Sequence, residues 1–139
     1  MTSQRKGRAL DSRAHALEVR AEARRLESLA AQAQAQAYTA LSQACARRAQ
    51  ALKAVVLADQ SVARLGGSEY ERGWAWHDGQ RAEIHAELME REASIHATQA
   101  RRAEAEADRA EAEAQVSSQK AHQDPLEGVA LPPPGVQGA

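Results

Sequence analysis

The chain has 139 residues and a formal net charge of −1, with no Phe, 3% aromatic residues and 43% hydrophobic residues, most of them Ala. That inventory is too poor in Leu, Ile, Val and Phe for the wide core of an ordinary globular domain. It suits long helices that need only a narrow apolar seam.

Met1 to Gly7 is polar, and Gly7 weakens early helix, so residues 1–7 are expected to be a frayed N-terminus. From Arg8 to Leu65 helical spacing dominates. Leu10, Ala14, Leu17 and Ala21 step by four, three and four. Leu26, Ala30, Ala33, Ala37, Ala40 and Ala44 keep that rhythm, and Leu41, Ala44, Arg48, Ala51, Val55, Ala58, Val62 and Leu65 form a neighbouring stripe. The alanine run from Ala30 to Ala37 buries little area and is expected to be the weakest stretch of the seam.

Gly66-Gly67 is the one place in the first 120 residues suited to reversing the chain. Paired glycines supply the left-handed or extended backbone of a helix stop, and Ser68 with Glu71 three residues later is a capping box that restarts one. The expected fold is therefore all-α, two long helices in an antiparallel coiled-coil hairpin over residues 8–122 with the turn near 66–68. At 1.5 Å per residue, about 55 residues per arm give a rod of roughly 80 Å. In this register Leu41 falls opposite about Glu92, and Leu17 opposite about Val116.

Charge favours the same hairpin. Residues 1–65 carry eleven Lys and Arg against five Asp and Glu, a net of +6. Residues 66–139 carry seven against fourteen, a net of −7. Antiparallel pairing sets Arg5, Lys6, Arg8, Arg13, Arg20, Arg24 and Arg25 near Glu104, Glu106, Asp108, Glu111 and Glu113. The basic residues alternate with Asp11, Glu18, Glu22 and Glu27 and lack interleaved aromatics, which argues against nucleic acid as a partner.

After the turn, Gly73 and Gly79 flank Trp74-Ala75-Trp76-His77-Asp78, and two glycines so close together argue against a rigid helix. Asp78 is placed to cap a second start. From Gln80 to His122 helix resumes, with Ile84, Leu88, Arg91 and Ile95 on one stripe. Met89, Ala93, His96, Ala100, Ala103, Ala107, Ala110 and Ala114 lie on the adjacent one. Residues 123–139, with Pro125, Pro132-Pro133-Pro134 and several glycines, are expected to be a disordered Pro/Gly-rich tail with a short polyproline element.

Chemistry is sparse. His77, His85 and His96 are spaced by eight and eleven residues, about 12 and 16 Å along one helix, too far apart to share an ion whose ligand bonds are about 2 Å long. Cys45 reads as a small seam residue, with no His near it in sequence or across the expected hairpin. There is no phosphate loop, nucleophile elbow or concave pocket to hold a small-molecule substrate, so a non-enzymatic protein without metal or cofactor is expected. No apolar run approaches the roughly 18 residues of a membrane span, the N-terminus lacks a signal-peptide core, and a lone Cys45 forms no internal disulfide. A cytoplasmic location is the simplest expectation. Trp74 and Trp76 cannot both face one seam, so one is expected to cover the turn and the other to point outward; the pair either simply caps the hairpin's end or, in the functional alternative, offers one indole as a partner anchor.

A basic Ala/Gln/Arg-rich first helix, a short glycine turn, Arg72-Gly73-Trp74-Ala75-Trp76 and then Ile84 and Leu88 on a charged second helix resemble the central-stalk proteins of type III export ATPases, the FliJ-like and YscO-like family. The resemblance spans about residues 8–122. It implies a stalk entering a hexameric export ATPase through Arg13, Arg20, Arg24 and Arg25 and meeting an export gate protein through Trp74, Trp76, Ile84 and Leu88. Gly73, Gly79, the acidic second helix and the Pro-rich end depart from that pattern. The alternative is a secreted or phage-associated helical-hairpin scaffold. Trp76-His77-Asp78-Gly79 does not match the Trp-x-Gly bend of small type VII secretion substrates, which such a hairpin would otherwise resemble.

Overall fold

A computed structural model describes residues 2–123, with side chains from Arg5 onward. The expected tail of residues 123–139 thus lies, beyond Gln123, outside the described residues. Two helices account for nearly all of what is described: α1 over Thr2–Leu65 and α2 over Glu69–His122, packed against each other in antiparallel sense. Helix α1 already includes Gly7.

The turn forms where the paired glycines predict it, by a different device. No glycine among the described residues has a positive φ. Gly66 instead lies so close to α1 that a Cβ would collide with the Val62 carbonyl oxygen, and its N–H donates to that oxygen at 2.6 Å. Ser68 caps α2: the Glu71 N–H donates to Ser68 Oγ at 3.1 Å and the Arg72 N–H to the Ser68 carbonyl at 3.0 Å. The Glu71 carboxylate folds back to 3.8 Å from where a Gly67 Cβ would stand.

The expected break at Gly73 to Gly79 does not occur, since α2 runs through both glycines and Asp78 caps nothing. A helical Gly costs only about 1 kcal/mol relative to Ala, less than packing against α1 supplies. Gly79 is itself buried, and a Cβ there would touch the Asp59 Cβ at 3.4 Å. Its missing side chain makes room at the seam.

By its contacts the chain divides into two units, Met1–Ala31 with Ala105–Ala139, and Gln32–Glu104. In the second, α1 buries or half-buries Ala35, Tyr38, Ser42, Cys45, Ala49, Leu52, Val56, Asp59 and Ala63, and α2 does so with Ala75, Gly79, Ala82, Ala86, Met89, Ala93, His96, Ala100 and Ala103. Both series alternate steps of three and four, the seven-residue repeat of paired helices. In the first unit the seam holds Leu10, Ala14, Leu17, Ala21, Ser28 and Ala31 on α1, and Ala107, Ala110, Ala114, Ser117 and Ala121 on α2. Nearly every fully buried side chain is alanine.

Two expected stripes are therefore seam, the one from Leu10 to Ala21 and the one from Met89 to Ala114. Three others lie on the outside: those of Leu26, of Leu41 to Leu65, and of Ile84, Leu88 and Ile95. Small residues win because they let two backbones approach closely. The closeness shows in two side-chain hydroxyls that reach the opposite main chain, Ser28 Oγ donating to Ala107 O at 3.0 Å in the first unit and Ser42 Oγ to Ala93 O at 2.7 Å in the second.

Candidate functional site: exposed apolar face and arginine cluster

The residues singled out in the sequence fall into two groups, one in each unit. In the second unit Trp74, Ile84, Leu88 and Ile95 share the outer face of α2 and are 53%, 59%, 46% and 56% exposed. Steps of ten, four and seven keep them on one side of the helix. Arg81 and Arg91 sit among them, also exposed. Leu41, Val55, Val62 and Leu65 form an exposed apolar strip on α1 in the same unit.

The division of labour expected for the tryptophans is absent. Trp76 is as exposed as Trp74, so neither indole covers the turn. Trp74 meets Tyr70 edge to face at 6.2 Å between ring centroids, and Trp76 meets His77 in the same manner at 5.1 Å. These contacts orient the rings without removing them from solvent.

In the first unit Arg13 and Arg20 are exposed, whereas Arg24 and Arg25 are engaged. Arg24 donates to Glu27 on its own helix at 2.9 Å and to Glu113 on α2 at 3.1 Å. The hydrogen bond to Glu27, then the charges of Glu27 and Glu113, push the Arg24 pKa up from its ordinary value. Arg25 pairs with Glu22 at 3.1 Å. Arg20 and Arg24 line a shallow groove with Glu27, Arg109, Glu113 and Val116.

The charge zipper expected between the arms is correspondingly thin. Among the described residues, the Lys or Arg pairs that cross from α1 to α2 are Arg24 with Glu113, and Lys53 with Glu90. Glu18 adds Ser118 and His122 at 3.5 Å each, the latter as an ion pair only when the imidazole is protonated. Pairs this exposed are screened by solvent and add little to stability, so the seam holds the helices and the charges tune it.

One expectation about Cys45 is overturned. The hairpin brings His96 and Glu92 of α2 beside it, where the sequence placed no His across the turn. His96 is half-buried under the Tyr38 ring, at 6.3 Å between centroids, with its Nδ1 2.9 Å from Gln99 Oε1. The single-helix spacing test could not detect this cluster, because its third member comes from the other helix.

No helix among the described residues is long and apolar enough to cross a membrane. Comparison with known proteins finds no matching family, curated relative or solved structure.

Proposed function

We propose that the protein is a non-enzymatic helical-hairpin adaptor of a cytoplasmic type III export apparatus, acting as the stalk of its hexameric ATPase. The observation that supports docking is the inverted packing of the second unit. Alanine fills the seam, while Trp74, Ile84, Leu88 and Ile95 stand in register on the outside. A folded chain that leaves aligned aromatic and aliphatic side chains in water presents a surface for a partner, and Trp is prominent among interface anchors. In the stalk reading this face meets the export gate. Arg13 and Arg20 reach acidic groups of the ATPase ring, with Arg24 and Arg25 able to exchange their intramolecular carboxylates for the ring's. A stalk in a ring works by binding one subunit conformation better than another, which requires surface and no pocket.

The test is co-expression with a type III export ATPase from the same genome, followed by co-purification and ATPase assay. The expected result is a stable complex and a changed ATPase rate, with Arg13→Glu and Arg20→Glu together abolishing both. No association, or association without any effect on rate, refutes the stalk role. If the Arg variants bind normally while Leu88→Glu does not, the hairpin is a scaffold docking through α2 alone.

A further inference from the structure

We propose that Cys45, Glu92 and His96 form a binding site for a zinc-class divalent cation that clips α1 to α2. Their donor atoms, the Cys45 thiol sulfur, a Glu92 carboxylate oxygen and a His96 ring nitrogen, all lie within 4.8 Å of one another. Cys45 Sγ is 3.8 Å from Glu92 Oε2. On a tetrahedral zinc ion, with bonds of about 2.3 Å to sulfur and 2.0 Å to oxygen, those two donors stand about 3.5 Å apart. Small rotations about side-chain bonds close the remainder.

The placement follows from helix geometry. Glu92 and His96 are four residues apart on α2 and so project from one face a turn apart, and Cys45 reaches them from the seam of α1. All three belong to the second unit. Gln99 supplies the outer contact that a ligating imidazole requires: with Nδ1–H donated to Gln99 Oε1, Nε2 keeps its lone pair for the ion. Tyr38 stacks on the ring and limits its rotation. A thiolate with an imidazole and one carboxylate selects zinc over magnesium or calcium, which prefer all-oxygen shells. Cys45 and His96 are half-buried and Glu92 is exposed, so water has access to the fourth coordination position. On binding, the thiol proton passes to solvent and the sulfur–metal bond replaces it.

The experiment is a cobalt(II) titration of the metal-stripped, reduced full chain, followed by competition with zinc and by thermal melts. One equivalent of cobalt per chain is expected, with a thiolate-to-cobalt charge-transfer band and visible bands of a tetrahedral ion, all displaced by zinc. Cys45→Ser and His96→Ala should each abolish the charge-transfer band and the zinc-induced rise in Tm while retaining helical circular dichroism. Glu92→Gln should weaken binding about tenfold or more, and His85→Ala should leave it unchanged. A missing thiolate band overturns the assignment. So does a band that survives in His96→Ala, or a stoichiometry of one ion per two chains, which would mean that thiols of separate molecules share the ion.

Discussion

Replacing Gly73 with Ala tests whether α2 is continuous through the tryptophan segment. Gly73 is the fifth residue of α2, is exposed, and has nothing within 4 Å of where a Cβ would stand. Its backbone is not in the left-handed region, so Ala brings no strain. In a helix interior the exchange removes the backbone-entropy cost of Gly, about 0.8–1.0 kcal/mol, and near a helix start the gain falls toward 0.5 kcal/mol. Converted with the entropy of unfolding of a domain this size, Tm should rise by about 2–5 °C. Urea unfolding followed by far-ultraviolet circular dichroism measures the change, with an unaltered m value showing that the unfolding reaction is the same. Gly66→Ala is the internal contrast. There a Cβ meets the Val62 carbonyl oxygen, with Val62 Cγ1 at 3.2 Å and Arg72 Cγ at 3.3 Å, and a loss of about 1–3 kcal/mol is expected. If Gly73→Ala destabilises, or if the two variants behave alike, the continuous helix is wrong and the segment is a loop.

Inverted packing makes an unusual pair of expectations for neighbours on α2. Leu88→Ala should change folding stability by less than about 0.5 kcal/mol, whereas Ala86→Leu should cost about 1–3 kcal/mol by forcing the seam apart, both read from urea midpoints. Asp59 places a carboxylate oxygen, Oδ2, out of solvent with no hydrogen-bond partner, beside Gly79. Asp59→Ala should therefore raise stability by about 1–3 kcal/mol, and a fall in Tm would show that the carboxylate is satisfied in solution. Ser42→Ala removes the hydroxyl that donates to Ala93 O and should cost about 0.5–1.5 kcal/mol, measured against Ser12→Ala on an exposed site. Added salt should weaken the Arg24–Glu113 bridge. Its pH dependence lies elsewhere: a raised Arg pKa contributes stability that is lost only as pH rises through the folded value, far above neutrality, so melts between pH 6 and 8 should leave this contribution unchanged.

The hairpin was legible because its signals are local. Gly66-Gly67 ends α1 at Leu65, and Ser68 with Glu71 starts α2 at Glu69, within a residue of where the pattern places them. Which face of each helix turns inward was half legible. Hydrophobicity ranks Leu41, Val55, Ile84 and Leu88 above alanine, yet two backbones held close enough for Ser42 to reach Ala93 O leave no room for such side chains between them. The cation cluster was hidden by register. With Leu41 set opposite Glu92, Cys45 falls a full turn away from it, whereas the structure brings Cys45 itself to Glu92. Ser42 on Ala93 and Ser28 on Ala107 lie two residues from the expected pairing, a shift harmless to the fold but enough to hide a three-residue site.

That sensitivity bears on what fixes the register at all. Sliding one helix by seven residues, about 10 Å, replaces alanine with alanine along much of the seam and changes apolar burial little. The turn sets the count on one side, but a bend as short as Gly66 to Ser68 leaves the distant pairings to be chosen by side chains that differ from their neighbours. In the second unit those are Tyr38 stacked on His96 and Cys45 beside Glu92. A slip by one heptad forfeits both, whereas a serine that donates to a main-chain carbonyl meets another such carbonyl a heptad away, so these side-chain pairs discriminate between registers where the serines and alanines do not. The large apolar side chains are thereby released from holding the hairpin, which is the physical reason that Trp74, Leu88 and Ile95 stand exposed on its outside.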